Sequence, residues 1–381
     1  MSRPKVSVVV PIYNAQKYLR QCLDSLVNQT LRQIEIICVN DGSVDQSLQI
    51  IRQYASQDPR IRVIDKPNTG YGHSLNCGLD AAQGEYLGIV ESDDYARPDM
   101  FERLYRCAAS EDLDVAKAGF YFYYSASGKR SIPFRIAARA DCGRVLCPLT
   151  DLKTPQQQVD FFNNKPSIWS AIYKITFLRE NGIRVNETPG ASYQDTSFNF
   201  QVWACAGRLS LLRECLLYYR QDNEASSVNA PGKIYCVCDE YAQTDRFLQD
   251  RPQLLEKLAQ LRSRLMYETY LWNYDRLDER FRQEFLQRAA SDFAEQMQKG
   301  YLDRRYFPAY KWGAMQFIIR DPQGYHRWRC KEAVEIPEDI SVDLKESVGQ
   351  KVLRKLAGAY RTWKAHGFGY MLLYAAKLLR N

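Results

Sequence analysis

This chain lacks any run approaching the roughly 18 consecutive apolar residues needed to cross a bilayer. The apolar stretch near its start, residues 6–10, is too short for a signal peptide. Its 11 cysteines show no metal-ligand spacing, and the one close pair, Cys236 and Cys238, forms a C-x-C rather than a C-x-x-C. Free thiols in a reducing cytosol are therefore expected, rather than a zinc site or a disulfide scaffold. The turn after the first apolar strand holds no glycine, whereas a dinucleotide fingerprint needs three. That absence argues against NAD and FAD oxidoreductases, and against nucleotidyltransferases that open on a Gly-rich loop. Acidic residues are missing from residues 351–381, which carry Lys351, Arg354, Lys355, Arg361, Lys364, Lys377 and Arg380. The formal charge of +7 is thus confined to that tail and residues 1–350 are neutral, so no global nucleic-acid-binding surface is expected. A cytoplasmic protein, or one held peripherally on the inner face of the cell membrane, fits these absences.

What is present centres on residues 86–94, Tyr-Leu-Gly-Ile-Val-Glu-Ser-Asp-Asp. An apolar run bounded by Gly84 reads as a buried strand of a parallel sheet, and it ends in Glu91, Asp93 and Asp94. Ligands of open α/β sheets bind beyond the carboxyl ends of the strands. Carboxylates gathered there repel one another, and a divalent cation shared with a substrate's phosphates relieves that repulsion. The competing reading is an acidic loop leading into the next helix, with Pro98 at its first turn.

Strands are expected at 6–10, 34–39, 62–64 and 86–90, alternating with helices over 15–28, 43–56, the residues around Leu75 and Leu79, and 98–110. A further strand spans 115–124. Pro11 reads as the stop of the first strand, and Ser43 with Gln46 as a capping box. This alternation predicts an α/β fold, Rossmann-like and mostly parallel.

Four segments then carry a family resemblance: Val-Ser-Val-Val-Val-Pro-Ile-Tyr-Asn (6–14), Val-Asn-Asp-Gly-Ser-Val-Asp (39–45), Ala-x-Gly-Glu-Tyr-Leu (82–87) and Glu-Ser-Asp-Asp (91–94). In order and spacing they resemble family-two glycosyltransferases, inverting enzymes with the GT-A fold. The resemblance covers about residues 5–228. It implies a nucleotide-sugar donor, UDP-linked, and a glycan or lipid-linked acceptor in cell-surface polysaccharide synthesis. The transferase implied is metal-dependent and of the hexosyl or N-acetylhexosaminyl type.

The resemblance implies donor contacts from Pro11, Tyr13, Asn14 and Asp41 to the uracil and ribose, although Asp41-Gly42 is also ordinary turn chemistry. Glu91-Ser92-Asp93 stands where relatives carry Asp-x-Asp, so Asp93 would bind Mn²⁺ or Mg²⁺ and Glu91 would reach the ribose. Ser74-Leu75-Asn76 departs from the Ala-Arg-Asn of many relatives, so a basic donor contact is either absent or supplied from elsewhere. Asp195 matches the catalytic base, preceded by Gln194 where relatives carry Glu. Asp195 also reads as a helix start, where the macrodipole would lower its pKa. Arg220 and Ser226 resemble a loop that closes over the diphosphate; a surface ion pair is the other reading for Arg220. Trp169 and Gln194 are placed beside the acceptor, with a core position open for Trp169. Gln194 and Glu91 also leave room for a non-catalytic sugar-nucleotide or membrane-binding module on the same fold.

The domains expected are a GT-A domain over 1–228, a helical appendage over 229–340 and a basic amphipathic tail over 341–381. In the appendage, stripes including Tyr241, Leu258, Leu265, Trp272, Phe285 and Phe293 follow a helical period. In the tail, Leu353, Leu356, Tyr360 and Trp363 separate from the basic residues around a helix. Such a segment either binds an anionic membrane surface or docks on the appendage.

Overall fold

The computed structural model describes residues 3–125, 130–137, 141–191, 193–223 and 233–344. These fall into two compact units: the described residues of 1–151 and 165–227, and those of 152–164 and 228–356. The second unit thus takes in 152–164 from the middle of the expected first domain. The tail from 351, with its expected membrane surface, lies outside the described residues, as does Ser226.

In the first unit β1 (Val6–Ile12), β2 (Ile34–Asp41), β3 (Ile61–Lys66) and β4 (Tyr86–Ile89) run parallel in the order β3-β2-β1-β4. The connections are α1 (Leu19–Val27), α2 (Ser47–Gln57) and α3 (Tyr71–Ala81). Every residue of β1, β2 and β4 is buried, which is why these strands read as unbroken apolar runs rather than alternations. α1 buries Leu19, Cys22, Leu23 and Leu26, a single helical stripe. The chain continues through β5 (Tyr95–Ala96), α4 (Met100–Ser110), β6 (Val115–Tyr124), β7 (Arg130–Phe134) and α5 (Pro148–Asp151). After α6 (Pro155–Phe162) of the second unit come β8 (Ala171–Lys174), α7 (Ile175–Glu180), α8 (Asp195–Cys205) and β9 (Leu209–Arg220). Antiparallel β8 joins β4 to β6, and β9 lies parallel to β6. The result is the mixed, mostly parallel sheet of a GT-A fold.

Two local expectations are corrected. Pro11 does not end β1; it pairs in register with Val39, and the strand runs on to Ile12. Ser43 does not cap α2, which begins at Ser47. Its hydroxyl instead accepts the Asn14 N–H at 3.1 Å, while Asp45 Oδ1 accepts the Ser47 N–H at 2.9 Å. Tying two chain turns together outcompetes the local box.

The loop before α3 packs against residues 186–190. Gly70 has φ +100°, open to glycine alone at little cost, and a Cβ on Gly72 would lie 2.0 Å from the Asn186 carbonyl oxygen. Asn76 clamps the same segment: its Nδ2 donates to the Val185 carbonyl at 2.9 Å and its Oδ1 accepts the Val185 N–H at 3.1 Å. Leu75 beside it is buried.

The second unit is helical: α6 with α9 (Cys236–Gln249), α10 (Pro252–Arg276), α11 (Glu279–Gln298), α12 (Ala309–Arg320), α13 (Pro322–Arg329) and α14 (Glu338–Leu344). Tyr241, Leu258, Leu265, Phe285 and Phe293 form its core as the helical period requires, whereas Trp272 stands 43% exposed. Among the described residues no helix is long and apolar enough to cross a membrane, and all 11 cysteines are free thiols.

Replacing Gly72 with alanine forces a methyl group onto a backbone carbonyl. It is expected to lower unfolding free energy by about 1–3 kcal/mol, read from thermal or urea denaturation. Wild-type stability in G72A would show that the 186–190 segment yields freely.

Candidate active site

The parallel register brings the carboxyl ends of β1, β2 and β4 side by side, so three turns share one rim. After β1, Tyr13 is 53% exposed and Asn14 adopts φ 50°, a left-handed conformation that asparagine tolerates. The Asn14 side chain accepts the Val44 N–H at 2.9 Å, fastening this turn to the one after β2. Asp41 ends β2 with its carboxylate accepting the amides of Thr69 at 2.8 Å and Gly70 at 3.0 Å, and it is ion-paired to Lys66. In the structure it therefore organises the loop that launches α3.

The acidic turn follows β4. Glu91 is half-buried and accepts the Tyr71 hydroxyl at 2.6 Å. Burial pushes its carboxyl up to about 8; the Tyr71 bond opposes this, and the charges of Asp93 and Asp195 add to it. Asp94 is buried, its Oδ1 accepting the Arg220 N–H at 2.8 Å and its Oδ2 left without a partner. Burial first, then Asp93, hold it well above the usual carboxylate range. Asp93 Oδ2 accepts the Asn223 amide at 2.8 Å, and Ser92 sits half-buried between the acids.

Arg220 has a different place from either sequence reading. It is 5% exposed, and its Nε donates to the Asp93 carbonyl at 2.8 Å. One terminal nitrogen donates to Gln21 Oε1 at 2.6 Å, and the guanidinium lies 4.3 Å from the centroid of the Tyr18 ring. Its fork is used inside the protein, bracing the backbone of the acidic turn.

Asp195 is the first residue of α8, half-buried, with Oδ1 buried and unpartnered. The expected lowering of its pKa is overturned. Burial pushes the carboxyl up to about 6, outweighing the ammonium groups of Lys165 and Lys117 and the helix-start amides. Gln194 turns inward, its amide donating to Thr188 Oγ1 at 2.9 Å and to the Gly190 carbonyl at 3.0 Å. Trp169 is 6% exposed and packed against Phe120 and Tyr219, with centroids at 4.7 and 4.8 Å; it is core rather than an open stacking face. Two groups were missed from sequence. Tyr71 gives its hydroxyl to Glu91, and Tyr219 lies within the field of Asp94, Asp195, Asp93 and Glu91. Only the tertiary fold brings them there, and no local signal marks either.

Among the described residues no three His, Cys, Asp or Glu side chains form a metal cage. The buried, unpartnered Asp94 Oδ2 and the crowding of acids nevertheless suit a hard cation held by one or two carboxylates and completed by a ligand's phosphates.

A parallel half-sheet with acids at its rim, continued by an antiparallel crossing to a carboxyl at a helix start, defines a GT-A transferase scaffold. The chain belongs to glycosyl transferase family 2, whose family model matches residues 7–170. It is 34% identical over 242 residues to the uncharacterized glycosyltransferase EpsJ of Bacillus subtilis (strain 168), covering 63% of this chain and 67% of that protein. A 99-residue stretch, 26% of this chain, is 40% identical to chondroitin synthase of Pasteurella multocida (strain Pm70), of which it covers 10%. The structure of S. aureus TarS 1–349 in complex with UDP-GlcNAc superposes with a TM-score of 0.65 at 17% identity, covering 88% of this chain and 97% of that one, a likeness of fold.

A carboxyl raised in the folded state contributes a penalty that grows as pH rises from the unfolded value toward the folded one. Glu91→Gln removes that penalty. With EDTA present, it is expected to stabilise the protein at pH 9 by roughly 1–3 kcal/mol and much less at pH 5. Equal shifts in melting temperature at the two pH values would contradict the burial of this charge.

Proposed function

We propose that this glycosyltransferase moves a sugar, with inversion, from a UDP-linked donor to a hydroxyl of a glycan or lipid-linked acceptor. The observation that carries the reading is the Asp195 carboxyl, half-buried, raised to about 6 and with a buried oxygen that no protein donor reaches. An aspartate so raised is a better proton acceptor than a solvated one, yet is ionised at neutral pH. The acceptor oxygen attacks the anomeric carbon as its proton passes to Asp195. The bond from that carbon to the diphosphate oxygen breaks, and the electron pair departs with UDP.

The exposed Tyr13 ring suits stacking on the uracil, with Pro11 and Asn14 shaping that turn and Asp41 fixing the loop beside it. Glu91 and Ser92 lie toward the ribose in this reading. Asp93 would hold Mn²⁺ or Mg²⁺, which supplies neutralisation of the diphosphate. Arg220 acts indirectly, by keeping the Asp93 backbone in place. A UDP-linked donor, of hexosyl or N-acetylhexosaminyl type, is supported by the fold shared with a protein solved in complex with UDP-GlcNAc. A polysaccharide acceptor is supported by the likeness to a chondroitin synthase. Attachment to the inner face of the cell membrane through residues 351–381 is part of the same proposal, motivated by their unopposed positive charge.

UDP release from a panel of UDP-sugars with Mn²⁺ tests this. Asp195→Asn should lower turnover roughly 10²–10⁴-fold, and the wild-type rate should fall off on the acid side around pH 6. EDTA should suppress release and added Mn²⁺ restore it. Full turnover in D195N would overturn the base assignment, and binding without release would favour a non-catalytic module.

A further inference from the structure

The acidic turn after β4 and the start of α3 meet in one side-chain hydrogen bond, from the Tyr71 hydroxyl to Glu91 Oε1 at 2.6 Å. Burial, then the neighbouring charge of Glu91, raise that hydroxyl well above the usual tyrosine range, so it keeps its proton and is the donor. Among the described residues no protein donor reaches Glu91 Oε2, and that oxygen is not sealed in the interior. One oxygen of the carboxyl group is held by the protein and the other is open to a ligand.

Side-chain length decides whether this bond exists. An aspartate at position 91 would draw the carboxyl group back by one C–C bond, about 1.5 Å. A 2.6 Å contact lengthened by that much is no longer a hydrogen bond. Neither main chain is placed to close the gap. The Tyr71 N–H donates to the Gly190 carbonyl at 3.2 Å, and Gly72 beside it lies hard against Asn186. On the other side the Val90 N–H donates to the Val9 carbonyl at 3.1 Å, and the Glu91 carbonyl accepts the Asp94 N–H at 3.0 Å. The glutamate at 91 and the tyrosine at 71 are therefore matched in reach across a fixed gap.

What the bond supplies is orientation. A loose glutamate loses rotamer freedom whenever a ligand binds through it, whereas one already held by a tyrosine has lost it in folding. Oε2 can hydrogen-bond a hydroxyl in either protonation state, because a hydroxyl both donates and accepts.

We propose that Tyr71 is a positioning residue for the donor, one that holds Glu91 by Oε1 so that Oε2 meets the ribose hydroxyls of a nucleoside diphosphate. The role rests on the UDP-linked donor and the ribose contact of Glu91 proposed above. Tyr71 itself touches no substrate; it acts through Glu91.

The test is calorimetric binding of UDP and of 2′,3′-dideoxy-UDP to the full chain, each with Mn²⁺. The wild type should favour UDP by roughly tenfold or more. Tyr71→Phe, which keeps the ring and removes the donor, should cut that preference to roughly two- to threefold, with dideoxy-UDP bound as before. Glu91→Ala should abolish the preference, and adding Y71F to E91A should weaken UDP binding no further, because the two residues act through one bond. A hydroxyl that merely braces the fold would weaken both nucleotides alike or lower the melting temperature; an intact UDP preference in Y71F overturns the proposal. A further loss of UDP affinity when Y71F is added to E91A also overturns it. A wild type that binds both nucleotides equally removes the role of Tyr71 and leaves the UDP donor standing, whereas a wild type that binds neither removes both.

Discussion

The constraint on which this structure depends is the confinement of several carboxyl groups in one poorly solvated place. Glu91, Asp93 and Asp94 leave the end of β4 together, and Asp195 enters their field from the start of α8. Such charges repel and lose hydration at once, two penalties that would unravel a turn left to itself. The surrounding protein answers each of them locally. Arg220 grips the Asp93 carbonyl and gives its own N–H to Asp94; Tyr71 donates to Glu91; Asn223 donates to Asp93. What the protein leaves unmet, notably Asp94 Oδ2 and Asp195 Oδ1, is the part available to ligands and protons.

A second constraint fixes the shape of the rim. Gly70 and Gly72 let the start of α3 and the loop before it lie against residues 186–190, the segment that leads into Asp195. Asp41 holds the near side of that loop, and Asn76 holds the far segment by its backbone. The turn after β2 and the segment leading to α8 are thereby joined through side chains that bind main-chain groups. Gln194 closes the same corner by binding Thr188 and Gly190.

Much of this was legible beforehand, for identifiable reasons. Three strands of the parallel half, β1, β2 and β4, are buried along their whole length, so their sequences are largely apolar runs that stand out from the helices between them. The helices of the second unit announce themselves by periodic Leu, Tyr and Phe. The positions of Tyr13, Asp41, Glu91 and Asp93 at strand ends follow from alternation, because parallel strands place all their carboxyl ends on one side. Less legible were features set by partners distant in sequence. Arg220 reads as a diphosphate contact or a surface ion pair until Gln21, Tyr18 and Asp93 surround it. Trp169 reads as a platform until Phe120 and Tyr219 cover it. Ser43 reads as a helix cap until Asn14 claims its hydroxyl.

By itself the sequence determined the family, the alternation of strands and helices, and which acids stand at strand and helix ends, because these depend on periodicity and on short, ordered motifs. Protonation was decided only by the tertiary structure. A helix start predicts a lowered Asp195, and the fold raises it instead, since desolvation by neighbours hundreds of atoms away along the chain outweighs a local dipole. The same holds for Lys117, an ordinary lysine of a β-strand in the sequence and in the fold a buried amine, held against the Ser167 carbonyl and pushed down to about 7 by burial.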